Sequence, residues 1–493
     1  MQTIFAGPAS WYSVGLPMSA NLAPPADQIR SLAQAAAEVV ASYYDTLAHR
    51  PVLGPVTSEK IRAALREPLP RDPADFAALL TVFEDVILRY SRHSGHPRFF
   101  GFIASPGTPV AAIGQMLAAA LNTNVTSWRS APAATEMEHL TMDWLKEMLG
   151  YPADAAGLYV SGGSMANFAG LAAARSAKCP EAVRQGVAAA GRRLRVYVSE
   201  EAHQSMRKAA GMLGMGEENV RSVATDARLR MDVADLDRVV AADLAAGHLP
   251  ACVSASLGTT ASGAVDPIGD IAAVARRHGL WLHVDAAYGA FAALAPSCRP
   301  FFEHIAEADS VALDPHKWLY LPIGCGCILY KDPAAARAAF SHDAEYLRVI
   351  GRQRDEAFPF WDYGPELSRP FRALDVWLML KFAGTRLLGE AIEKNMACAK
   401  YLERLVEASD DFEMLAPVEL SVFCFRYAPP GFTGDLDALN QRIMVDLQKE
   451  GGSFLSNARI KGRFALRGCV LNYRTTERDM EILLDDVRRA AAG

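Results

Sequence analysis

The sequence predicts an α/β fold: a seven-stranded, mostly parallel sheet with a helical N-terminal segment before it and a small α+β domain after it. Three observations predict this fold. Apolar positions recur at helical spacing in the first hundred residues, short apolar runs alternate with helical stretches between residues 158 and 330, and strand and helix patterns alternate again after residue 417. We place the three parts at residues 1–100, 101–385 and 386–493.

The N-terminal segment carries three helical patterns separated by prolines, at residues 27–50, 58–67 and 74–94. Three such helices can bury little apolar surface among themselves. We therefore expect them to clasp a neighbour, and a partner subunit is one candidate.

Seven apolar runs follow, and each has the length of a strand: GLYVSG, RLRVYVSE, NVRSVAT, ACVSASLG, LWLHVDAA, DSVALD and GCGCILY. Helical stretches lie between several of them, which indicates a mostly parallel sheet covered on both faces. Ligands bind outside the carboxyl ends of the strands in such sheets. Polar residues directly after each run are therefore the candidate site residues.

The remaining chain divides into three patterns. Residues 341–372 are charged and aromatic without periodicity, which is typical of a functional loop or lid. Residues 373–407 are helical. The C-terminal part then predicts strand 418–427, helix 436–450, strand 463–473 and helix 476–490.

Composition excludes several classes of protein. The 493 residues are 51% hydrophobic, and 50 Lys plus Arg against 56 Asp plus Glu give a net charge of −6, which disfavours a nucleic-acid partner. The eight cysteines show no CxxC spacing, so we expect reduced thiols in a cytosolic protein and no metal site. Neither a secretory signal nor an apolar run long enough for a membrane span is found.

The first candidate segment is SGGSMANFAGLAAAR, residues 161–175, where a strand pattern passes through glycines into a helix near Ser164. Free backbone N–H groups and the positive helix end make such a turn a phosphate site. The GxGxxG and GxxxxGK[ST] patterns are absent, which disfavours a dinucleotide or a P-loop triphosphate. The alternative is a tight turn in which Ser164 only caps the helix.

Three further candidates follow other runs. Asp285 ends the run LWLHVD beside small alanines, Lys317 follows DSVALD, and His203 follows RVYVSE. A helix cap, an exposed lysine and a surface histidine are the plain alternatives. Together, however, the four sites offer a phosphate cradle, a carboxylate, an amine that can attack a carbonyl and an aromatic face, which pyridoxal phosphate requires. Ala287 leaves room below the cofactor ring.

A family resemblance points the same way. The strings HPRFFGFIASPGTP, SWRSAPAATEMEHLTMDWLKEMLG, SGGSMAN, EEAHQS, SLGTTASGAVDPI, WLHVDAAYGA, DPHKW, AEYLR and ELSRPFRALDVW cover nearly the whole chain in order. They resemble the pyridoxal-phosphate-dependent group II amino-acid decarboxylases, and the aromatic-L-amino-acid decarboxylases among them most closely. This resemblance implies a fold-type I homodimer with transferase-like architecture.

The resemblance also implies roles for residues. Lys317 would bind the cofactor covalently, Asp285 would pair with the ring nitrogen and His203 would stack on the ring. Further contacts with the cofactor would come from Gly163, Ser164, Thr260, Ala287 and His316. Tyr346, on the active-site loop, would protonate the α-carbon after carbon dioxide leaves; relatives that form aldehydes differ there or at the stacking histidine. The alternative is that Tyr346 only packs on the lid.

The inferred substrate pocket has an aromatic character. By resemblance it includes Phe102, Ile103, Ala104, Ser105 and Trp128, and Ser368 stands where plant relatives that act on phenolic substrates carry Ser. Three departures bear on the substrate: Asn124 and Thr126 replace apolar residues that animal relatives present from the partner subunit, and Asp314 replaces an Asn near the phosphate.

The leading prediction is decarboxylation of tyrosine, DOPA, phenylalanine or tryptophan to the amine and carbon dioxide. A decarboxylase for glutamate or diaminobutyrate is a rival, although residues 102–105 hold no basic side chain for an acidic substrate. An oxygen-dependent aldehyde synthase is a second rival. A binding protein that has lost its chemistry is a third.

Overall fold

The computed structural model describes residues 22–341 and 359–493, and three helices open the first of these ranges. They are α1 Ala26–Thr46, α2 Ser58–Leu65 and α3 Phe76–Val82. The third predicted helix is interrupted, because a π-helical turn follows α3 at Phe83–Leu88. Along α1 only Gln28 and Val39 are buried. The described part of the chain therefore leaves most of the surface of this segment uncovered.

The central sheet contains all seven predicted strands. They are β1 Ala156–Val160, β2 Leu194–Ser199, β3 Val220–Val223, β4 Leu249–Ser256, β5 Trp281–Asp285, β6 Ser310–Leu313 and β7 Gly326–Tyr330. Their order is β1-β7-β6-β5-β4-β2-β3, and only β7 runs antiparallel to its neighbours. The predicted α/β fold class is confirmed, and the carboxyl ends of the other six strands share one edge.

Helices cover both faces of the sheet. They are α4 Pro109–Leu121, α5 Pro132–Leu149, α6 Gly163–Lys178, α7 Ala182–Gln185, α8 Ser205–Met212, α9 Val233–Ala245, α10 Ile268–His278 and α11 Pro333–Phe340. The strands and helices enclose one continuous apolar core, in which Tyr159, Tyr197 and Trp318 are fully buried. This packing fixes the strand ends from which the site is built.

The C-terminal part begins with a long helix, α12 Ala373–Glu407, whose backbone leaves helical geometry at Gly384 with φ 69° and ψ 160°. Four antiparallel strands in the order β10-β11-β9-β8 follow: β8 Phe412–Met414, β9 Val422–Tyr427, β10 Ser456–Ile460 and β11 Arg463–Cys469. Helices α13 Leu436–Glu450 and α14 Glu477–Ala492 pack on them over a second core. The sequence predicts β9, β11 and both helices but misses β8 and β10.

A buried ion pair ties the segment after residue 359 to the sheet domain. Glu138 on α5 and Arg369 form this pair with side chains at most 1% exposed. Arg369 also donates to the carbonyl oxygens of Val125 at 2.7 Å and Tyr159 at 3.0 Å. The Glu138 carboxylate accepts the Tyr159 N–H at 3.1 Å. One arginine thus joins three parts of the chain.

Replacing Arg369 with Met is expected to lower the free energy of unfolding by about 3–5 kcal/mol, because the Glu138 carboxylate is left buried without its counter-charge. Urea unfolding checks this. The double variant Glu138→Leu/Arg369→Met should recover part of the loss, because it removes the uncompensated charge but still leaves backbone groups of Val125 and Tyr159 without these partners. Lys400→Ala, which breaks an exposed pair with Glu403, should change little. A loss for Arg369→Met no larger than that for Lys400→Ala contradicts the prediction.

Among the described residues, 22–341 and 359–493, no helix combines the length and apolar character needed to cross a bilayer.

Candidate active site

A cavity of about 370 Å3 lies at the carboxyl edge of the central sheet. Residues that follow β1, β2, β4, β5 and β6 line it, as expected for a parallel sheet. All eight residues that the sequence predicts to contact the cofactor are in this lining: Gly163, Ser164, His203, Thr260, Asp285, Ala287, His316 and Lys317. Five separate chain segments therefore meet at one place.

The glycine turn before α6 forms one wall of the cavity. Gly162 is the N-cap of this helix and makes no side-chain capping bond, so Ser164 stands inside the first turn and is not the cap. A Cβ on Gly163 would come within 2.7 Å of the Asp314 carboxylate and 2.9 Å of the Ala287 Cβ. The close approach requires glycine. The turn presents free N–H groups, and Ser164 is exposed to accept or donate beside them.

Asp285 is the last residue of β5 and its carboxylate is held at both oxygens. Oδ1 accepts the Ala287 N–H at 3.1 Å, and Oδ2 accepts from the Asn167 side chain at 2.8 Å. A carboxylate at the end of a buried strand is costly unless donors or a cation meet it. These bonds fix the carboxylate and leave lone pairs that can face a cationic ring nitrogen.

His203 lies just after β2 with its ring exposed to the cavity. Its Nδ1 is within 2.8 Å of the Ser205 hydroxyl and also accepts the Ser205 N–H at 3.2 Å. The neutral ring therefore carries its proton on Nε2. One face of the imidazole stays open, as stacking on a flat ligand requires.

Lys317 and His316 stand beside Asp314 at the end of β6. The Lys317 Nζ is 3.1 Å from Asp314 Oδ2, and the His316 Nε2 is 3.6 Å from the same oxygen. The His316 Nδ1 lies 2.8 Å from the Cys325 carbonyl oxygen and must donate to it, while burial lowers the pKa of His316. The Asp314 carboxylate is therefore closer to the Lys317 amine than to the His316 ring.

The predicted substrate-pocket residues lie outside the cavity of the single chain. Trp128 donates to Glu136 at 2.8 Å, and Ser368 is exposed. Phe102 adopts φ 60°, an unusual conformation for a residue with a side chain. Its carbonyl oxygen accepts a 2.6 Å bond from Arg467, which also donates to the Thr260 carbonyl oxygen in the cavity wall. The remaining members of this set are Ile103, Ala104 and Ser105, and the whole set stays a prediction.

The loop that carries Trp128 is tied to the segment that carries Ser368. The Asn124 side chain accepts the Arg369 N–H at 2.9 Å, and the Thr126 carbonyl oxygen accepts the Phe360 N–H at 3.1 Å. Of the two departures from animal relatives, Asn124 therefore lies beside Ser368, and Thr126 lies beside Phe360, earlier in the same segment. Tyr346 lies outside the described residues.

Sequence reasoning missed two kinds of residue in this site. Tyr288 lines the cavity, stacks on Trp318 with ring centroids 5.0 Å apart, and would collide with any Cβ on Gly258 at 2.6 Å. Asn167 also lines the cavity, one helical turn after the SGGS glycines. The one sequence signal for Asn167 was its position three residues after Ser164, because residues at this spacing share one face of a helix.

The residues present fit pyridoxal phosphate. The glycine turn of α6 offers N–H donors for a phosphate, and the fixed Asp285 carboxylate offers a partner for a ring nitrogen. Lys317 supplies an amine in the same cavity, and the exposed ring of His203 supplies a stacking face. The arrangement can bind an aldehyde-bearing, phosphorylated ring and react with it.

Comparisons with known proteins agree. Residues 58–428 match the model of the pyridoxal-dependent decarboxylase conserved domain. An aromatic-L-amino-acid decarboxylase of Bacillus atrophaeus is 32% identical over 476 residues, covering 96% of this chain and 98% of the relative. A phenylacetaldehyde synthase of a Rosa hybrid cultivar is 30% identical over 459 residues, covering 89% of this chain and 88% of the relative. The crystal structure of Oryza sativa TDC with PLP and tryptamine superposes with a TM-score of 0.90 at 31% identity. The match covers 96% of this chain and 99% of that chain. The chain belongs to the pyridoxal-dependent decarboxylase family.

Proposed function

We propose that this protein uses pyridoxal phosphate to decarboxylate an aromatic L-amino acid to its amine and carbon dioxide. The observation that carries the proposal is the single cavity in which Lys317, Asp285, His203 and the α6 glycine turn converge. A group II decarboxylase needs each of these, and all of them line the cavity.

Each residue has one task in this proposal. Bound pyridoxal phosphate supplies the electron sink for the bond that breaks. Lys317 holds the cofactor and is released by substrate, and Asp285 stabilises a proton on the ring nitrogen. His203 stacks on the ring, and the turn at Gly163 and Ser164 binds the phosphate. Thr260, Ala287 and His316 complete the cofactor contacts.

Two features favour an aromatic over an acidic substrate. Phe102 and Trp128, in the predicted pocket, are large and apolar. An acidic substrate needs a free cation. Two arginines lie next to this segment, and both are engaged. Arg467 is 3% exposed and already donates to two backbone carbonyl oxygens, and the Arg92 guanidinium lies over the Phe102 ring, 4.8 Å from its centroid. Ser368 favours tyrosine, DOPA or phenylalanine as the substrate. The relatives include a protein named as an aromatic-L-amino-acid decarboxylase, which agrees with an aromatic substrate.

The amine is the proposed product because Tyr346 and His203 are both present. The Rosa relative is named as an aldehyde synthase, so the alternative reaction occurs within this range of similarity. The two outcomes differ in whether the α-carbon receives a proton or is oxidised by oxygen. Tyr346 is the proposed donor of that proton.

Replacing Tyr346 with Phe is expected to lower amine formation by about a hundredfold or more, since a general acid contributes about 10²–10⁴-fold. Aldehyde, ammonia and peroxide should rise at the same time. Product analysis by mass spectrometry together with a peroxide assay checks the result. Tyr363→Phe changes a tyrosine of the described part that lines no wall of the cavity and serves as control. Undiminished amine from Tyr346→Phe contradicts the assignment.

We further propose a homodimer. Helix α4 exposes Ile113, Met116, Leu117 and Leu121, each at least 48% accessible in the single chain, and Phe102 is 50% exposed. Apolar patches of this kind are typical of subunit interfaces. A second copy on this face would cover α4 and complete the substrate pocket. Sedimentation equilibrium should give twice the chain mass, and Leu117→Asp should reduce it.

The division at residues 100 and 385 and the cytoplasmic location also remain proposals. The break of α12 at Gly384 and the separate C-terminal core support the second boundary. All eight cysteines are buried free thiols, which suits a reducing compartment.

The experiment that tests the function is product analysis after incubating the cofactor-loaded protein with aromatic, acidic and diamino acids. Tyramine, phenethylamine or tryptamine is expected, and their relative yields test whether Ser368 favours tyrosine, DOPA or phenylalanine over tryptophan. Polar amines alone, aldehydes alone or no product would overturn the proposal.

A further inference from the structure

A chain of buried side chains runs behind the cavity from Trp281 to Asp285. The Trp281 Nε1 lies 2.9 Å from the Ser310 Oγ, which lies 2.8 Å from the His283 Nδ1. The His283 Nε2 lies 2.9 Å from the Asn167 Oδ1, and the Asn167 Nδ2 lies 2.8 Å from Asp285 Oδ2. Ser310, His283 and Asn167 are at most 1% exposed. Five side chains from three elements, β5, β6 and α6, thus form one connected network.

The hydrogen positions in this network follow from its two ends. The Trp281 indole can only donate, and an ionised Asp285 can only accept. The amide nitrogen of Asn167 therefore faces Asp285, and its oxygen must receive a hydrogen from the His283 Nε2. The His283 Nδ1 then accepts from Ser310, which accepts from Trp281. Burial lowers the pKa of His283 to about 4, which agrees with the neutral ring that this direction requires.

A branch of the network reaches His203. The Asn167 Nδ2 also lies 2.7 Å from the Ser205 Oγ, which therefore accepts from it and gives its own hydrogen to the His203 Nδ1 at 2.8 Å. Asn167 has two amide hydrogens, and each goes to a different partner. A single amide thus connects the carboxylate on one side of the cavity with the imidazole on the other.

We infer that Asn167 is a positioning residue that sets the orientation of Asp285 and the tautomer of His203 together, with Ser310 and His283 fixing the orientation of its amide. The inference rests on the proposed function, because it concerns how the two residues meet the cofactor. Partners behind the residues that contact a cofactor or metal fix their geometry, and their loss commonly costs about ten- to a hundredfold in affinity or activity.

The first test replaces Asn167 with Asp, which keeps the shape but removes both donated hydrogens. The dissociation constant for pyridoxal phosphate should rise about ten- to a hundredfold, as is typical for outer partners. The pH profile of the bound cofactor's absorption should shift, and kcat should fall with the KM for substrate nearly unchanged. Asn440→Asp is the matched control, because Asn440 is fully buried, bonds the backbone of Tyr427 and Leu436, and lies in the C-terminal domain.

The control separates positioning from folding. Asn440→Asp should lower thermal stability but leave the cofactor's dissociation constant and spectrum unchanged. If Asn167→Asp also leaves both unchanged, the inference is wrong. If the wild-type chain loads no cofactor and forms no amine, the proposed function fails instead, and the second test still decides the network.

The second test needs no activity: nitrogen-15 NMR of the histidine-labelled full chain reads the tautomers directly. His283 and His203 should both carry hydrogen on Nε2. Ser205→Ala should weaken the preference of His203, because only the backbone N–H of residue 205 still reaches Nδ1, while Ser205→Thr, which retains the hydroxyl, should restore it. The network would be overturned by a hydrogen on the Nδ1 of His283. It would also be overturned by a His203 tautomer that is the same in Ser205→Ala as in the wild type.

Discussion

Replacing Lys317 with Ala is expected to abolish amine formation, with kcat falling at least about a thousandfold, because no other described residue of the cavity lining carries an amine. Lys317 is the lysine in the cavity lining, and its Nζ lies 3.1 Å from Asp314. Steady-state carbon dioxide release measures the loss. Reductive trapping followed by peptide mass spectrometry should place the cofactor on the peptide that contains Lys317 in the wild type and nowhere in the variant.

Lys331→Ala is the matched control, since Lys331 follows β7 and is exposed outside the cavity. It should keep wild-type turnover and trapping. Lys331→Ala should unfold at nearly the wild-type temperature, whereas Lys317→Ala should unfold at a lower one, because the buried Asp314 carboxylate loses the amine that lies 3.1 Å from it. Turnover is therefore measured well below both unfolding transitions. Full activity of Lys317→Ala, or trapping on another lysine, would contradict the assignment and remove the main support for the proposed function.

The central sheet could be predicted from sequence because its strands are continuous apolar runs of the kind that a doubly covered sheet requires. The strands that were missed lack this signal. β10, Ser456–Ile460, alternates buried and exposed residues and contains Asn457 and Arg459, and β8 has only three residues. Their pairing with β11 and β9 decides their structure: β10 joins β11 across a tight turn, and β8 adds three residues to the edge of β9.

The first layer of the site could also be predicted, because parallel strands bring their following residues to one edge. His203, Asp285 and Lys317 needed only that rule. The second layer could not be predicted in this way. Asn167 and Asp285 are 118 positions apart and His283 and Asn167 are 116 apart, and a lone buried histidine in a strand carries no mark of its partner. Only the packing of α6 on the sheet brings them together.

The substrate pocket was the least accessible to sequence reasoning. Trp128 and Ser368 lie on surface segments joined through Arg369 and Asn124, away from the cavity of their own chain. A pocket shared between two copies would explain this placement, since each chain then supplies residues that only the assembled dimer brings to a cavity. The order of predictability therefore follows the range of the contacts: local pattern, sheet edge, buried network and finally subunit interface.

Replacing Asp285 with Asn is expected to lower kcat by about ten- to a thousandfold. A carboxylate close to a base typically favours its protonated form by about 1–3 pKa units, and each unit is about tenfold. The neutral amide keeps the shape of Asp285 and the bond from Ala287, so affinity for the cofactor should fall less than kcat does. Stopped-flow turnover and the pH profile of the bound cofactor's absorption measure both effects.

Asp309→Asn provides the control for this prediction, because Asp309 lies at the opposite end of the same strands, where its carboxylate accepts the Leu282 N–H at 2.7 Å. Loss of its charge should leave kcat and the absorption profile unchanged. A large kcat loss in both variants would indicate a general effect on β5 and β6. If Asp285→Asn alone keeps full kcat and an unchanged profile, then charge at this strand end does not act on the ring nitrogen, and the cavity must stabilise electrons on the cofactor by other means.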